Sequence, residues 1–395
     1  MLSPASCPSC GSNHTEIFYE VLNIPVHSVL VLRTRDQALN YPRGSLKLAF
    51  CRDCGFISNT AFDPAVQEYS EQCEETQAFS PTFNSFHHRL AGYLISRYDL
   101  HHKRIIEIGC GKGEFLALLC EQGQNEGIGF DPAYMEGRLQ STAQERLAFI
   151  KDFYSEKYAH YRGDFYCCKM TLEHIPDVSR FIRTLRNAIG DHLETKVFFQ
   201  VPDVTRVLRE QAFWDIYYEH CSYFSPTSLA HLFRSCGFEI ADLWRDYDDQ
   251  YLMIEARPNG VKSSQFLPAD PALQLLFEDL NCFIENYPKK IENWRRRLSE
   301  IQRAGRKVVL WGSGSKGVAF LTTLNVRTEI EYTVDINPHK HWTFMAGTGQ
   351  QVVPPSFLQE YQPHYVIIMN PVYRNEIQAD LEKMGLYPEI ISIEA

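Results

Sequence analysis

Residues 101–119 read HHKRIIEIGCGKGEFLALL. An apolar run closes on Glu107, a glycine-rich loop follows, and apolar residues then return at helical spacing. The pattern predicts a strand, a tight turn and an amphipathic helix, the unit with which a backbone approaches a nucleotide-type cofactor. Gly109, Gly111 and Gly113 allow the chain to bend sharply and keep Cβ atoms away from a ligand at the positive end of the helix. The spacing is G-x-G-x-G rather than G-x-G-x-x-G. It favours S-adenosylmethionine, which has no pyrophosphate to cradle, and Glu107 is expected near its methionine ammonium or a bridging water.

Further along, Gly127-Ile128-Gly129-Phe130-Asp131-Pro132 reads as a second strand with Asp131 at its carboxyl end, where a carboxylate can accept both ribose hydroxyls. Asp152 and Phe153 follow, Phe153 as an adenine contact. Gly163-Asp164-Phe165-Tyr166-Cys167-Cys168 reads as another strand, leading into Met170-Thr171-Leu172-Glu173-His174-Ile175-Pro176-Asp177. Alternating strands and helices predict a doubly wound α/β sheet with its ligand at the strand ends.

Toward the amino terminus, Cys7-Pro8-Ser9-Cys10 and Cys51-Arg52-Asp53-Cys54 form two C-x2-C knuckles. Four thiolates suit a closed, structural zinc site, since a catalytic zinc keeps one position open. Disulfides conflict with a reducing compartment, and unconnected buried cysteines would not explain the duplicated spacing. Between the knuckles, β-rich stretches such as Val26-His27-Ser28-Val29-Leu30-Val31-Leu32 are expected to build a small sheet that needs the metal. The other eight of the twelve cysteines are scattered and read mostly as small core residues.

Toward the carboxyl terminus, Pro258-Asn259-Gly260 and the stretch through Pro268 and Pro271 are rich in breakers and mark a linker. A helical segment from about Ala272 to Ala304 leads to the strand Lys307–Trp311 and a second glycine loop, Gly312-Ser313-Gly314-Ser315-Lys316-Gly317. Gly312, Gly314 and Gly317 satisfy G-x-G-x-x-G, and Asp335 closes a later strand, so this loop read alone is a dinucleotide site and supports a nicotinamide-dependent oxidoreductase. Lys316, at a helix start, is placed to meet a phosphate. Asn370 and Tyr373, after a further apolar strand, are expected at the same sheet edge. The expected division is a zinc-binding module at 1–66, a cofactor-binding domain at 67–258 and a second Rossmann-like α/β domain at 259–395.

Bulk composition narrows the remaining classes. A net charge of −10 argues against broad attraction to nucleic acid. The basic run Arg295-Arg296-Arg297 reads as a solvated helix face. No apolar run is long enough to cross a bilayer, and Met1-Leu2-Ser3-Pro4 lacks the start of a secretory signal, so a cytoplasmic location is expected.

In motif content and order the chain resembles the three-domain sugar C-methyltransferases that act on nucleotide-linked deoxy-keto-sugars. The likeness runs through the paired knuckles, the EIGCGKG loop, the LEHIPD segment, Tyr217-Tyr218-Glu219-His220-Cys221-Ser222-Tyr223-Phe224-Ser225 and the WGSGSKG loop. It implies a class I methyltransferase domain flanked by a zinc module and a Rossmann-like domain that binds the nucleotide-sugar. It also implies His220 as the catalytic base, oriented by Glu219, with Tyr217 and His174 as donors to an enolate oxygen or as positioning groups. Residues 69–81 depart from the family's tyrosine-rich run, so no tyrosine of that segment is given a role. Methyl transfer to oxygen or nitrogen of another small molecule, and recruitment of a partner by the knuckles, are the competing readings.

Overall fold

The computed structural model describes residues 6–67, 69–259 and 271–394. The amino-terminal residues 1–4 and most of the breaker-rich stretch read above as a linker lie outside them. Among the described residues the fold is mixed α/β and contains three sheets.

The first sheet joins β1 (Thr15–Pro25), β2 (Arg43–Cys51) and β3 (Ile57–Asn59) in antiparallel order. The knuckles flank it. In each, a glycine in the left-handed region follows the second cysteine: Gly11 at φ +79° and Gly55 at φ +72°. That turn lets the glycine N–H donate back to the first cysteine's carbonyl, Gly11 to Cys7 and Gly55 to Cys51, each at 2.8–2.9 Å. Residues 26–32, expected as strand, are irregular apart from an isolated bridge between Leu30 and Cys73. Their backbone is spent elsewhere: the Ser28 N–H donates to Glu219 at 2.6 Å, and His27 and Val29 line the cavity described below.

The central sheet contains β4 (Arg104–Ile108), β5 (Glu126–Phe130), β6 (Leu147–Ile150), β7 (Phe165–Lys169) and β8 (Lys196–Pro202), all mutually parallel. β9 (Ser222–Tyr223) leaves this region to pair with β3, while β10 (Phe238–Asp246) and β11 (Tyr251–Pro258) close the sheet as an antiparallel pair on β8. The order is β10-β11-β8-β7-β4-β5-β6. Successive residues of β4 serve opposite faces, as the strand period of two requires. Ile105 packs with Leu90 and Leu94 of the helix Pro81–Tyr98 and with Leu116 of the helix Glu114–Gly123. Ile106 and Ile108 pack with Leu185 of the helix Val178–Ile189 and with Phe233 of the helix Pro226–Ser235. The helix at 81–98 begins where the sequence places Ser80-Pro81: the Ser80 hydroxyl accepts from the Phe83 N–H and Pro81 gives up no hydrogen bond at the first turn.

The third sheet is wholly parallel, in the order β14 (Gln351–Val353), β13 (Tyr332–Val334), β12 (Val308–Trp311), β15 (Tyr365–Ile368), β16 (Glu389–Ser392). The helix Pro271–Arg303 precedes it, and its Phe283 packs against Phe18 and Tyr19 of β1, so one long element covers two sheets. Arg295 and Arg296 are exposed on that helix, and Arg295 donates to the Thr323 carbonyl at the end of the helix Ser315–Leu324. Seven of the eight scattered cysteines are buried, and Cys282 is exposed.

Candidate active site

The carboxyl ends of β4, β5 and β7 open onto the same cavity, of about 1120 Å³, as those of β12, β13 and β15, and His27 and Val29 line it from the amino-terminal side.

At the first glycine loop the backbone has left no room for side chains. Gly109 sits at φ +71°, and a Cβ there would lie 1.9 Å from the Thr171 hydroxyl oxygen. The Gly111 N–H donates to Asp131 at 2.8 Å and the Ala133 N–H donates to its other oxygen at 2.7 Å, which fixes the carboxylate at the end of β5. Gly113 caps the following helix. Glu107 is 2% exposed, one of its oxygens has no partner among the described residues, and burial pushes its pKa up to about 8. Opposite it, at the end of β7, the buried Lys169 ammonium donates to His87 Nε2 at 2.8 Å and lies 3.7 Å from the centre of the Phe115 ring. His87 can accept because burial, then the Lys169 charge, holds its pKa down to about 2, so the ring is neutral. Asp152 and Phe153 stand at the rim. Asp152 pairs with Lys157 and Tyr158, which lower its pKa to about 2, and Phe153 is 59% exposed.

His174 and His220 meet beyond this loop, their ring centres 4.9 Å apart, and Tyr217 packs on His220 at 4.1 Å. The His174 Nδ1–H donates to the Glu219 carbonyl at 3.1 Å, which leaves Nε2 as the acceptor. Burial lowers the pKa of both rings, His174 to about 4, so each is a neutral imidazole near pH 7. The expected orientation of His220 by Glu219 is not what the fold builds. The Glu219 carboxylate turns away to the Ser28 N–H and hydroxyl and lies 3.6 Å from His27 Nδ1, because the segment 26–32 supplies its donors. The carboxylate nearest the two imidazoles is that of Glu173: one ligating atom from each of Glu173, His174 and His220 lies within 4.8 Å of the others.

In the second glycine loop, Ser313 N–H donates to Asp335 at 3.2 Å, and a Cβ on Gly317 would lie 2.5 Å from the Gly312 carbonyl, which explains why the helix packs so tightly on β12. Gly314 meets no such crowding. The Lys316 ammonium, expected to face a phosphate, is held between Asp215 and Gln250, each at 3.0 Å. Gln250 also exchanges hydrogen bonds with the Asn370 side chain at 2.9 and 3.0 Å, and the Tyr373 hydroxyl donates to Gln77 at 2.7 Å.

Several of these groups carry no motif. Glu173 precedes His174 in the LEHIPD segment, and the motif itself gives it no role. Tyr69, whose hydroxyl is buried without a partner and whose ring lies 6.2 Å from His174, belongs to the segment left without an assignment. Lys169, His87 and Gln250 had no sequence signal, since only the fold gathers them.

The four knuckle sulfurs all lie within 4.8 Å of one another, with Cys7 and Cys54 at 3.7 Å and Cys10 and Cys51 at 3.6 Å. A tetrahedral zinc with Zn–S bonds of about 2.3 Å sets its sulfurs about 3.8 Å apart. The donor set fits that ion, and the cysteines are not disulfide-bonded.

Residues 82–243 match the family model of a methyltransferase domain, and residues 277–386 match that of a C-methyltransferase C-terminal domain. The chain is a multidomain S-adenosylmethionine-dependent C-methyltransferase. This methyltransferase is 24% identical to C-methyltransferase NovU of Streptomyces niveus, in an alignment that covers 74% of each chain. Among solved structures it is similar to the magnesium protoporphyrin IX methyltransferase of Synechocystis with bound S-adenosylhomocysteine. There the identity is 16%, the TM-score 0.36, and the coverage 45% of this chain and 84% of the other. A putative S-adenosylmethionine-dependent methyltransferase of Listeria monocytogenes is 12% identical with a TM-score of 0.35, covering 45% of this chain and 99% of the other. Among the described residues, no helix of the methyltransferase is long and apolar enough to cross a membrane.

Proposed function

We propose that the enzyme methylates a carbon beside the ketone of a 4-keto-deoxysugar linked to thymidine or guanosine diphosphate, through an enolate, with His220 as the base. The observation that carries this reading is the placement of two neutral imidazoles in one cavity with both glycine loops. When bound, S-adenosylmethionine supplies an electrophilic methyl group on its sulfonium. Gly109, Gly111 and Gly113 form its cradle, Asp131 faces its ribose, and Asp152 and Phe153 border its adenine. Glu107, through its unpartnered oxygen, would hold the ammonium of the cofactor's methionine end, and Lys169 would hold the carboxylate.

The sugar enters from the second loop, where Gly312, Gly314 and Gly317 admit a phosphate close to the backbone. Lys316 and Asn370 border the nucleotide-sugar through the hydrogen-bonded group around Gln250, and Tyr373 borders it beside Gln77. A ring carbon is no nucleophile until its α proton is removed. His220 takes that proton, and the oxygen that gains charge needs a donor. The Tyr217 hydroxyl fills that role. His174 has spent its one N–H on the Glu219 carbonyl and so positions rather than donates. Glu219 ties the segment 26–32 to the active site. Cys7, Cys10, Cys51 and Cys54 hold a structural zinc that keeps this segment in place. The domain division is 1–66, 67–258 and 259–395, and the enzyme works in the cytoplasm.

Replacing His220 by Asn tests the reading. Turnover of a thymidine diphosphate 4-keto-6-deoxyhexose should nearly vanish while S-adenosylhomocysteine still binds. An undiminished rate would remove His220 from the mechanism. Methylation without exchange of the sugar's α proton into heavy water would favour an oxygen or nitrogen acceptor. The second glycine loop keeps a nicotinamide reading open, and calorimetric titration with reduced nicotinamide cofactors decides against it if no heat is seen.

A further inference from the structure

One carboxylate in the cavity has no partner. Glu173 is 1% exposed, and neither of its oxygens has a hydrogen-bond partner among the described residues. Its backbone is fixed: it lies in the short helical turn after β7, and its carbonyl accepts from the Cys221 thiol at 3.6 Å. A buried, unsatisfied carboxylate is costly, and such a group calls for a role. Its two polar neighbours are the imidazoles of His174 and His220, with ligating atoms within 4.8 Å. Two hydrogen bonds of about 2.8 Å through one water span roughly 4.6 Å, so the separation is within the reach of a single water.

The difficulty for His220 as a base is the charge it must carry. Once it takes a proton it becomes a buried imidazolium, with the Lys316 charge already disfavouring that form. Glu219, the carboxylate adjacent in sequence, has one oxygen drawn away to the Ser28 N–H and hydroxyl, and only its second oxygen is left without a partner among the described residues.

We propose that Glu173 is a positioning residue of the proton-transfer machinery, which in its ionised form holds the His220 ring and offsets the charge when that ring accepts the substrate's α proton. The proposal rests on His220 being the base. The substrate C–H bond breaks, its electron pair passes to the ketone oxygen, and the proton moves to His220. The new carbon–methyl bond then forms as the sulfonium–methyl bond breaks, and His220 later releases its proton to water.

Burial pushes the Glu173 pKa up to about 8. The ionised, working form therefore grows as pH rises through that value. The other titratable groups within reach of its charge are Tyr69, Cys168, Tyr217, Cys221 and Tyr251, all with pKa values raised by burial, so they stay neutral there. Glu219 and Glu107 ionise near 7 and 8 in the same cavity, so the effect is read as a difference between wild type and Glu173→Gln.

Two measurements on the full, zinc-loaded protein test this. In NMR titrations the imidazole signals of His174 and His220 should step near pH 8 in wild type and lose that step in Glu173→Gln. With the thymidine diphosphate keto-sugar, Glu173→Gln should lower kcat on the order of 10²-fold. KM and S-adenosylhomocysteine affinity should be unchanged, the rise of rate with pH should flatten, and Glu173→Asp should restore part of the rate. Unchanged imidazole titrations, or an unchanged kcat, would overturn the proposal. So would a second metal ion per chain that disappears in Glu173→Gln, because Glu173 would then be a ligand in a two-histidine, one-carboxylate cation site. If wild type turns over no keto-sugar, the functional reading fails, while the NMR titration still decides whether Glu173 is coupled to His220.

Discussion

Lys169→Met isolates the cofactor's amino-acid end. The ammonium is buried and, among the described residues, spends one of its three hydrogens on His87, and the opposing Glu107 has a free oxygen. The two groups are not in ion-pair contact, so between them is a place for a zwitterion whose charges run the other way. Methionine fits the volume of the lysine stem and removes only the charge and its donors. A hydrogen bond to a charged group contributes about 1.5–3 kcal/mol, which corresponds to about 10- to 100-fold in affinity. Isothermal titration with S-adenosylhomocysteine and with 5′-methylthioadenosine, which keeps the nucleoside and sulfur but lacks the amino acid, separates the contributions. The variant should lose that factor for S-adenosylhomocysteine and bind methylthioadenosine as wild type does. Equal losses for both ligands would mean that the loop had been damaged as a whole. No loss for either would place the methionine end elsewhere. Either result refutes the assignment of Lys169.

The zinc site predicts one zinc per chain by elemental analysis, and Cys10→Ser or chelation should lower stability on the order of several kcal/mol by releasing the first sheet. A metal-free protein that melts like wild type would refute it. The buried carboxylates set a pH trend as well. Glu173 and Glu219 have folded pKa values of about 8 and 7, raised by burial above an ordinary 4.5. Their stabilising contribution is fully present below pH 4.5 and is lost as pH rises toward those values, by at most about 1.4 kcal/mol per pH unit for each group. His87 and His174 have folded pKa values below their ordinary 6.5, so they cost stability only as pH falls below that value. Above pH 6.5 the cofactor-free protein should therefore melt at lower temperature as pH approaches 8, with a shallower slope in Glu173→Gln. Identical melting slopes for the two proteins would count against this.

The parts legible in the sequence are those in which a local conformation demands particular residues. The Cys-x2-Cys-Gly knuckles need a glycine with positive φ to turn the chain back, and the strand–glycine–helix units at 104–123 and 308–324 need close backbone approach. What stayed illegible depends on partners distant in the chain. Val26–Leu32 has strand composition, but Ser28 meets Glu219, 191 residues away, and the local propensity loses to that buried carboxylate. The family resemblance implies that Glu219 orients its neighbour His220. The Glu219 carboxylate is instead drawn to Ser28, and the fold brings Glu173 to His220. Lys316 stands at a helix start, as a phosphate ligand would, and Asp215 and Gln250 claim it from two other segments.

The two glycine loops show where a motif stops being informative and its flank begins. Both are fastened the same way, with a backbone N–H of the loop on the carboxylate that ends the next parallel strand: Gly111 on Asp131 and Ser313 on Asp335. Judged by that geometry alone, either loop could take an adenosine ribose. Two residues before its first glycine, however, the first loop carries Glu107 with an oxygen free toward the cavity, and the second carries the fully buried Leu310. The first loop has Lys169 across from it, one strand away, and the second has a lysine already neutralised by Asp215. Among the described residues, a ligand with an α-amino acid end therefore meets a carboxyl oxygen and a buried ammonium together at the first loop. The second loop suits a ligand whose recognition rests on hydrogen bonds through Gln250 and Asn370, as a sugar or nucleoside offers, rather than on a fixed opposite charge.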